Sequence, residues 1–434
     1  MRVSVIGLGK LGAPLAAVIA HRGHTVIGAD LNPEFVRQIN DGKAPVEETG
    51  LQQMIDGCRS HLSATTDTQE AVAQTELSHV IVPTPSGPDG KFSLRHVLDA
   101  VAPIGAALRE KTGFHVVALT STVMPGHTAG KVLPALEKAS GKRCGTDFGL
   151  CYNPEFIALG NVIDGLLHPD FVLIGESDPR SGQLLEDFYG TVCDREPPAA
   201  RMTFVNAELT KLSVNTFVTT KISYANMLAQ VCERLPGADV DVVTSALGLD
   251  TRIGRKYLRG ALGYGGPCFP RDNVAFSALA RELGSPGTLA EATDLLNRAQ
   301  VDRLEQLVRT HLPTGGTVGI LGLSYKPATS IVEESQSLEL ARRLAGAGTR
   351  VFAYDPAAMD TARAILGERV TYTASVAECA NSADVLVLAT PWEEFRRLDP
   401  ASVKAGATVV DCWRLLPPGR FAARARHVVF GRGS

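Results

Sequence analysis

A short apolar stretch, Val3-Ser4-Val5-Ile6, runs straight into Gly7-Leu-Gly9-Lys-Leu-Gly12, and a helical stretch follows. Glycines at this spacing allow a tight turn, close backbone approach by a pyrophosphate, and close packing of helix on strand. The helix N-terminus then faces the phosphate charge. The next apolar stretch, near 25–28, leads into Asp30. A carboxylate at a strand end there accepts from ribose hydroxyls and repels a 2′-phosphate, so NAD is expected in preference to NADP. One glycine motif alone is a weak signal; strand, turn, helix and acid in this order are a dinucleotide site by design.

The same strand–helix alternation continues, with strands expected at 3–6, 25–28, 79–82, 115–119 and 171–174, the pattern of a parallel sheet covered by helices. From about 205 to 234 neither Gly nor Pro interrupts until Arg234, so one long helix is expected, and helix continues to about 311. At Thr317 the alternation restarts, with strands at 317–321, 350–354, 384–389 and 408–411 and a helix at 337–345. The reading is two Rossmann-like, doubly wound α/β domains joined by a long central helix. Expected limits are 1–200 for NAD binding, 201–312 for a helical centre and 313–434 for the second α/β domain. A chain of 434 residues with net charge −3 has no global basic field for nucleic acid or an anionic membrane. No apolar run reaches the roughly 18 residues of a membrane helix, so a cytoplasmic protein without a membrane partner is expected.

The eight cysteines include no CxxC pair, which argues against a metal site. Most read as packing residues. Cys268 differs, because it lies in Gly263-Tyr264-Gly265-Gly266-Pro267-Cys268-Phe269-Pro270-Arg271-Asp272. Such a stiff loop exposes its backbone, and a cysteine beside a cation there is expected to be accessible and readily ionised, as a nucleophile requires. On the long helix, Glu208, Lys211 and Asn215 are spaced to share one face. An ordinary solvated stripe looks the same, so a functional role needs partners; the polar turn Asn153-Pro154-Glu155-Phe156 is one. Two more loops, Pro83-Thr84-Pro85 and Ser121-Thr122-Val123-Met124-Pro125, follow strands at the sheet edge where α/β ligands bind. These parts suggest an alcohol oxidised twice, with a cysteine holding the aldehyde between hydride transfers and a lysine stabilising the oxyanion.

In these motifs, with Arg252-Ile253-Gly254, Ser324-Tyr325-Lys326-Pro327 and Tyr354-Asp355-Pro356 added, the chain resembles the UDP-glucose/GDP-mannose dehydrogenase family over nearly its full length. The resemblance implies a homodimer built on the helical centre and a UDP-sugar held by the last domain. It implies Cys268 as nucleophile, Lys211 and Asn215 at the reacting oxygen, Asp272 and Thr122 on water, and Glu155 in proton transfer. Gly7, Gly9, Gly12, Asp30, Thr84, Ser121, Thr122 and Arg271 would serve the cofactor. Glu155, Phe156, Lys211, Asn215, Arg252, Tyr257, Tyr264, Gly265 and Lys326 would meet the substrate, Arg252 across the dimer. The Arg-Ile-Gly segment looks most like the UDP-glucose branch.

The chain departs from the family pattern at Phe35 and Leu159, where a lysine and an acid are usual, and at Glu333, where an arginine is usual. These changes touch cofactor and sugar handling and leave the Cys–Lys–Asn–Asp set intact. Another nucleotide sugar, a UDP-N-acetylhexosamine or GDP-mannose, is an alternative substrate. Two further readings compete: a hydroxyacid dehydrogenase, which needs neither the cysteine loop nor a second α/β domain, and a non-catalytic nucleotide-binding relative.

Overall fold

A computed structural model describes residues 1–433, which divide into two compact units, the first ending at Ser213 and the second beginning at Val214. The first unit is built on one sheet. Its strands are β1 (Arg2–Ile6), β2 (Thr25–Ala29), β3 (Leu62–Thr65), β4 (Leu77–Val80), β5 (Val116–Leu119), β6 (Gly149–Tyr152), β7 (Val172–Glu176) and β8 (Ala199–Met202). They lie in the order β3-β2-β1-β4-β5-β6-β7-β8. Every pairing is parallel except β6–β7, which the alternation in the sequence did not foretell. The order reverses beside β1, and that is where ligands enter such sheets. The central strands are buried on both faces, as helices on either side demand. One apolar cluster around Val5, Leu15, Ile19 and Phe188 fills one face and another around Ile104, Leu136 and Phe148 fills the other.

The second unit carries a six-stranded, wholly parallel sheet: β9 (Thr317–Leu321), β10 (Arg350–Tyr354), β11 (Thr371–Tyr372), β12 (Val385–Leu388), β13 (Thr408–Asp411) and β14 (Arg426–Val429). Its order, β11-β10-β9-β12-β13-β14, is the doubly wound order again. The correspondence reaches single residues. Gly7 and Gly322 follow the first strand of each sheet with φ of 98°. Each N–H donates to the last residue of the neighbouring strand, Ala29 at 2.7 Å and Tyr354 at 2.8 Å.

A helix of 29 residues, Phe204–Cys232, spans the boundary between the units. It fills the interval expected from the sequence to within two residues, which is the normal fraying of helix ends. The strand expected at 79–82 lies instead at Leu77–Val80. Apolar character continues through Ile81 and Val82, but after a last bond from the Ile81 N–H to the Ile6 carbonyl the chain turns beneath the glycine turn, where a Cβ on Gly7 would lie 2.5 Å from the Ile81 carbonyl oxygen. Among the described residues no helix is long and apolar enough to cross a membrane.

Candidate active site

The dinucleotide turn follows from steric limits. Gly7 needs its positive φ, and a Cβ on Gly12 would sit 1.8 Å from the Gly7 carbonyl oxygen. Only glycine lets the first helix (Gly12–His21) start so close to β1. A Cβ on Gly9, by contrast, would meet nothing within 4 Å; this is the open side on which a pyrophosphate can approach. Asp30 accepts from the Leu8 N–H at 2.6 Å and the Asn32 N–H at 2.8 Å, and it is half-buried. The residues therefore fit NAD. The matching acid of the second sheet does not. Asp355 is 1% exposed, and its two oxygens already accept from the N–H groups of Leu323, Ser324, Ala357 and Ala358. No ribose can reach it, and no helix starts behind Gly322 before Gln336. Replacing Asp30 with Ser is expected to lower the NAD-over-NADP preference in kcat/KM by about tenfold or more; an unchanged ratio in steady-state assays would remove Asp30 from cofactor selection.

The two hydroxyl loops brace one another. Ser121 Oγ accepts from the Val82 N–H at 2.9 Å and donates to the Val82 carbonyl at 2.7 Å, while Thr84 Oγ1 donates to the Thr122 carbonyl at 2.8 Å. The polar face of the long helix is not a solvated stripe, because Glu208, Lys211 and Asn215 are all buried. Each has a separate task. Glu208 accepts from the N–H groups of Gly126 (2.6 Å) and Thr128 (2.8 Å), fixing the loop after β5; burial, opposed by these hydrogen bonds, pushes its carboxyl up. Lys211 donates to the Glu155 carbonyl and sits 4.4 Å above the Phe156 ring. The Glu155 carboxyl is raised, mainly by burial, with Tyr189 and Lys211 acting against it. One turn further along the helix, in the second unit, Asn215 donates to Asp272 at 2.6 Å.

The cysteine loop in the second unit is held by its backbone. Gln336 accepts from the Gly263 N–H, and Asn297 clamps Tyr264 at both N–H (2.8 Å) and carbonyl (2.9 Å). The Gly266 N–H donates to the Glu333 carbonyl at 3.0 Å. Gly266 has φ of 82°, and a Cβ there would lie 2.6 Å from the Tyr325 ring, so no other residue fits without strain. The turn delivers Cys268 to the N-cap of the helix Phe269–Glu282, where the helix dipole favours negative charge at the sulfur. Asp272, 1% exposed, lies in the first turn of that helix, 3.6 Å from the Arg271 guanidinium.

Cys268 is the exposed cysteine of the eight. Burial pushes the thiols of Cys58 and Cys193 up to about 11 and that of Cys379 to about 12. It raises those of Cys144, Cys151, Cys232 and Cys412 as well. A thiol so shifted is a poor nucleophile at neutral pH.

Three family models match in register: the NAD binding domain of the UDP-glucose/GDP-mannose dehydrogenase family over residues 1–193, its central domain over 205–299, and its UDP binding domain over 319–418. The chain belongs to the UDP-glucose/GDP-mannose dehydrogenase family. Members of that family are NAD-dependent enzymes that oxidise nucleotide sugars, and this chain is such a dehydrogenase; the hydroxyacid dehydrogenase and non-catalytic readings fall away. It is 36% identical to the UDP-glucose 6-dehydrogenase AglM of Haloferax volcanii over 92% of this chain and 93% of that one. It resembles the structure of a UDP-glucose dehydrogenase from Pyrobaculum islandicum with a TM-score of 0.91 and 36% identity, covering 100% of this chain and 98% of the other. A GDP-mannose dehydrogenase from Pseudomonas aeruginosa is 32% identical with a TM-score of 0.56, covering 98% and 99%.

Against the family pattern, the remaining site positions fall into place unevenly. Tyr257 (φ 66°) and Tyr264 both set their rings edge-on to Phe269, beside Cys268, at 6.1 and 6.3 Å. Gly265 lies against the backbone of Glu334, and Lys326 follows β9 in the loop before Gln336. Arg252 stands 86% exposed and folds back on Asp250. Outside the expected site, the Arg414 side chain is 1% exposed and pairs with Asp241 at 2.7 Å, a structural use of its charge. Phe35 and Leu159 pack against the apolar cluster of the first unit, so the usual charges have become core contacts. Glu48 was not anticipated: its carboxylate accepts from the N–H groups of Gly160 and Val162 and anchors the segment after Phe156.

Proposed function

We propose that this dehydrogenase oxidises C6 of UDP-glucose through the aldehyde to the carboxylate, with Cys268 as covalent catalyst. The observation that carries the reading is the contrast among the cysteines: seven are withdrawn or deactivated by burial, and Cys268 alone is exposed, at a helix N-terminus in a rigid loop. NAD, when bound, supplies the hydride acceptor. Lys211 stabilises the alkoxide of the alcohol and later the oxyanion of the tetrahedral adducts. Cys268 adds to the aldehyde carbon, and loss of a second hydride from that adduct leaves a thioester on Cys268. Water, positioned by Asp272 and Thr122, then releases the acid and returns the thiol, with Glu155 moving protons and Asn215 orienting Asp272 and the reacting oxygen. Arg271 and the turn of Gly7, Gly9 and Gly12 are assigned to the cofactor, and Phe156, Tyr257, Tyr264, Gly265 and Lys326 to the sugar nucleotide.

The 36% identity to the Haloferax and Pyrobaculum UDP-glucose dehydrogenases, the latter with a TM-score of 0.91, supports UDP over GDP. The helical region 201–312 serves as the dimerisation centre, following an NAD domain at 1–200 and preceding a UDP-sugar domain at 313–434, and the exposed Arg252 would leave Asp250 to reach the partner's substrate. No two of the eight cysteines are joined, which fits the reducing cytoplasm. Adding UDP at a hundred times its dissociation constant is expected to stabilise the native state by about 2.7 kcal/mol, seen as a rise in Tm, with GDP giving much less. A larger rise with GDP would reverse the branch assignment.

A further inference from the structure

Beneath the Asn153-Pro154-Glu155 turn lies a hydrogen-bonded chain of three residues, of which the reaction scheme uses only Glu155. The phenol of Tyr189, on the helix Pro179–Val192, is 2.6 Å from Asn153 Oδ1 and 3.0 Å from Glu155 Oε1. Asn153 and Tyr189 are 1% and 4% exposed, so water cannot readily substitute for a missing partner. The orientation of the Asn153 amide is fixed, because its Nδ2 donates to the Leu173 carbonyl at 3.1 Å. Turning it over would set oxygen against oxygen. Asn153 Oδ1 therefore needs a donor, and Tyr189 is the one within reach.

A phenol has one hydrogen, yet two acceptors face it. If the hydrogen goes to Asn153, the Glu155 oxygen meets a phenolic lone pair, and the contact is favourable when Glu155 is itself protonated and donates. If Glu155 is ionised, the phenol hydrogen must turn to it, and Asn153 Oδ1 loses its donor in a buried place. We infer that Tyr189 is a positioning residue for Glu155: its hydroxyl turns between Asn153 and Glu155 as Glu155 gives up and regains a proton, holding the carboxyl in one place through both states. The proton count balances. Glu155 releases one proton to the reaction, the phenol keeps its own, and rotation about one C–O bond exchanges the two hydrogen bonds. No other side chain with an aromatic body offers both a donor and an acceptor at that atom. This role rests on the use of Glu155 proposed above.

The charged and titratable groups around Glu155 act with this chain. Lys211 bonds the Glu155 carbonyl and favours the ionised carboxyl. Cys193 is held as a thiol, by burial first and by Glu155 second. The His79 ring meets Tyr189 edge-on at 6.5 Å, and burial takes it down to about 4, so it is neutral at working pH. Burial, followed by Glu155, raises the Tyr189 phenol well above its usual range, so it keeps its hydrogen throughout.

Two substitutions push the chain in opposite directions. Tyr189→Phe removes the donor that an ionised Glu155 needs, a stronger bond than the neutral one it also removes. Asn153→Ala removes the competitor and leaves the phenol hydrogen to Glu155. The protonated-carboxyl band of Glu155, identified in infrared spectra by its loss in Glu155→Gln, is titrated against pH in the full-length protein. Its midpoint is expected to move up in Tyr189→Phe and down in Asn153→Ala, each by about one pH unit. If Asn153→Ala does not fold, 3-fluorotyrosine at position 189, a stronger donor, is expected to move the midpoint down in its place. Shifts in the same direction, or none in either variant, overturn the proposal. Full activity of Glu155→Gln would instead remove Glu155 from the reaction while leaving this titration readable, so the two failures are distinct.

Discussion

Cys268→Ser is expected to lower steady-state formation of the uronic acid by at least about a thousandfold, the loss usual when a nucleophile is removed. Its fold should survive, since Cys268 is exposed and its side chain makes no capping hydrogen bond. The first hydride transfer needs no sulfur, because the alcohol carbon is oxidised directly. The second does: a hydride must leave a tetrahedral carbon, and the thiol adduct supplies one inside the site. Serine is a far weaker nucleophile at neutral pH, and an ester formed on it would hydrolyse slowly. The variant should therefore pass a first NADH at a reduced rate and stall. Product analysis by mass spectrometry then separates aldehyde, trapped ester and acid; acid at the native rate would exclude covalent catalysis by this residue.

Lys211→Ala is expected to lower kcat by about a hundred- to a thousandfold, the cost of one oxyanion-stabilising group, and to act on both oxidations. The Glu155 carbonyl that accepts from its ammonium and the Phe156 ring beneath it help keep Lys211 in place. Removal deletes the charge and also releases the turn bearing Glu155. Lys211→Arg tests which matters. A planar guanidinium keeps the charge but not the point geometry, so activity should stay low if position decides and recover substantially if charge alone does. A fall in KM affinity with kcat unchanged, in either variant, would assign Lys211 to substrate binding.

The cofactor turn was legible in the sequence because its constraints are local. Gly7, Gly9, Gly12 and Asp30 sit within two strands and one helix, and each glycine's role follows from where a Cβ would collide or would not. The cysteine loop was legible for a similar reason, since three glycines and two prolines around Cys268 leave few conformations. The polar face of the long helix was legible as a spacing and illegible as a function. Glu208, Lys211 and Asn215 read as one stripe, yet one fixes a loop, one holds a carbonyl and one meets a carboxylate, and each partner is more than fifty residues away. A separation of 36 residues likewise hid the pairing of Tyr189 with Asn153, which meet only because the helix of one packs beside the strand that leads into the other. Nothing in the period of β7 distinguishes an antiparallel from a parallel strand buried on both faces, so that pairing too was invisible. The restart of strand–helix alternation at Thr317 showed the second domain's likeness to the first, but the correspondence of Gly322 with Gly7, and the saturation of Asp355 by backbone N–H groups that closes it to a ribose, are facts of packing.

The stoichiometry of a single turnover tests the central claim most directly. Enzyme in excess over UDP-glucose, with saturating NAD, is mixed rapidly, and NADH is counted against sugar nucleotide consumed while the product is identified. Four-electron oxidation through Cys268 predicts two NADH per UDP-glucose, UDP-glucuronic acid as the product, and a thioester that hydroxylamine can intercept at Cys268. One NADH per sugar with free aldehyde as the final product, or two without any adduct at Cys268, would contradict it.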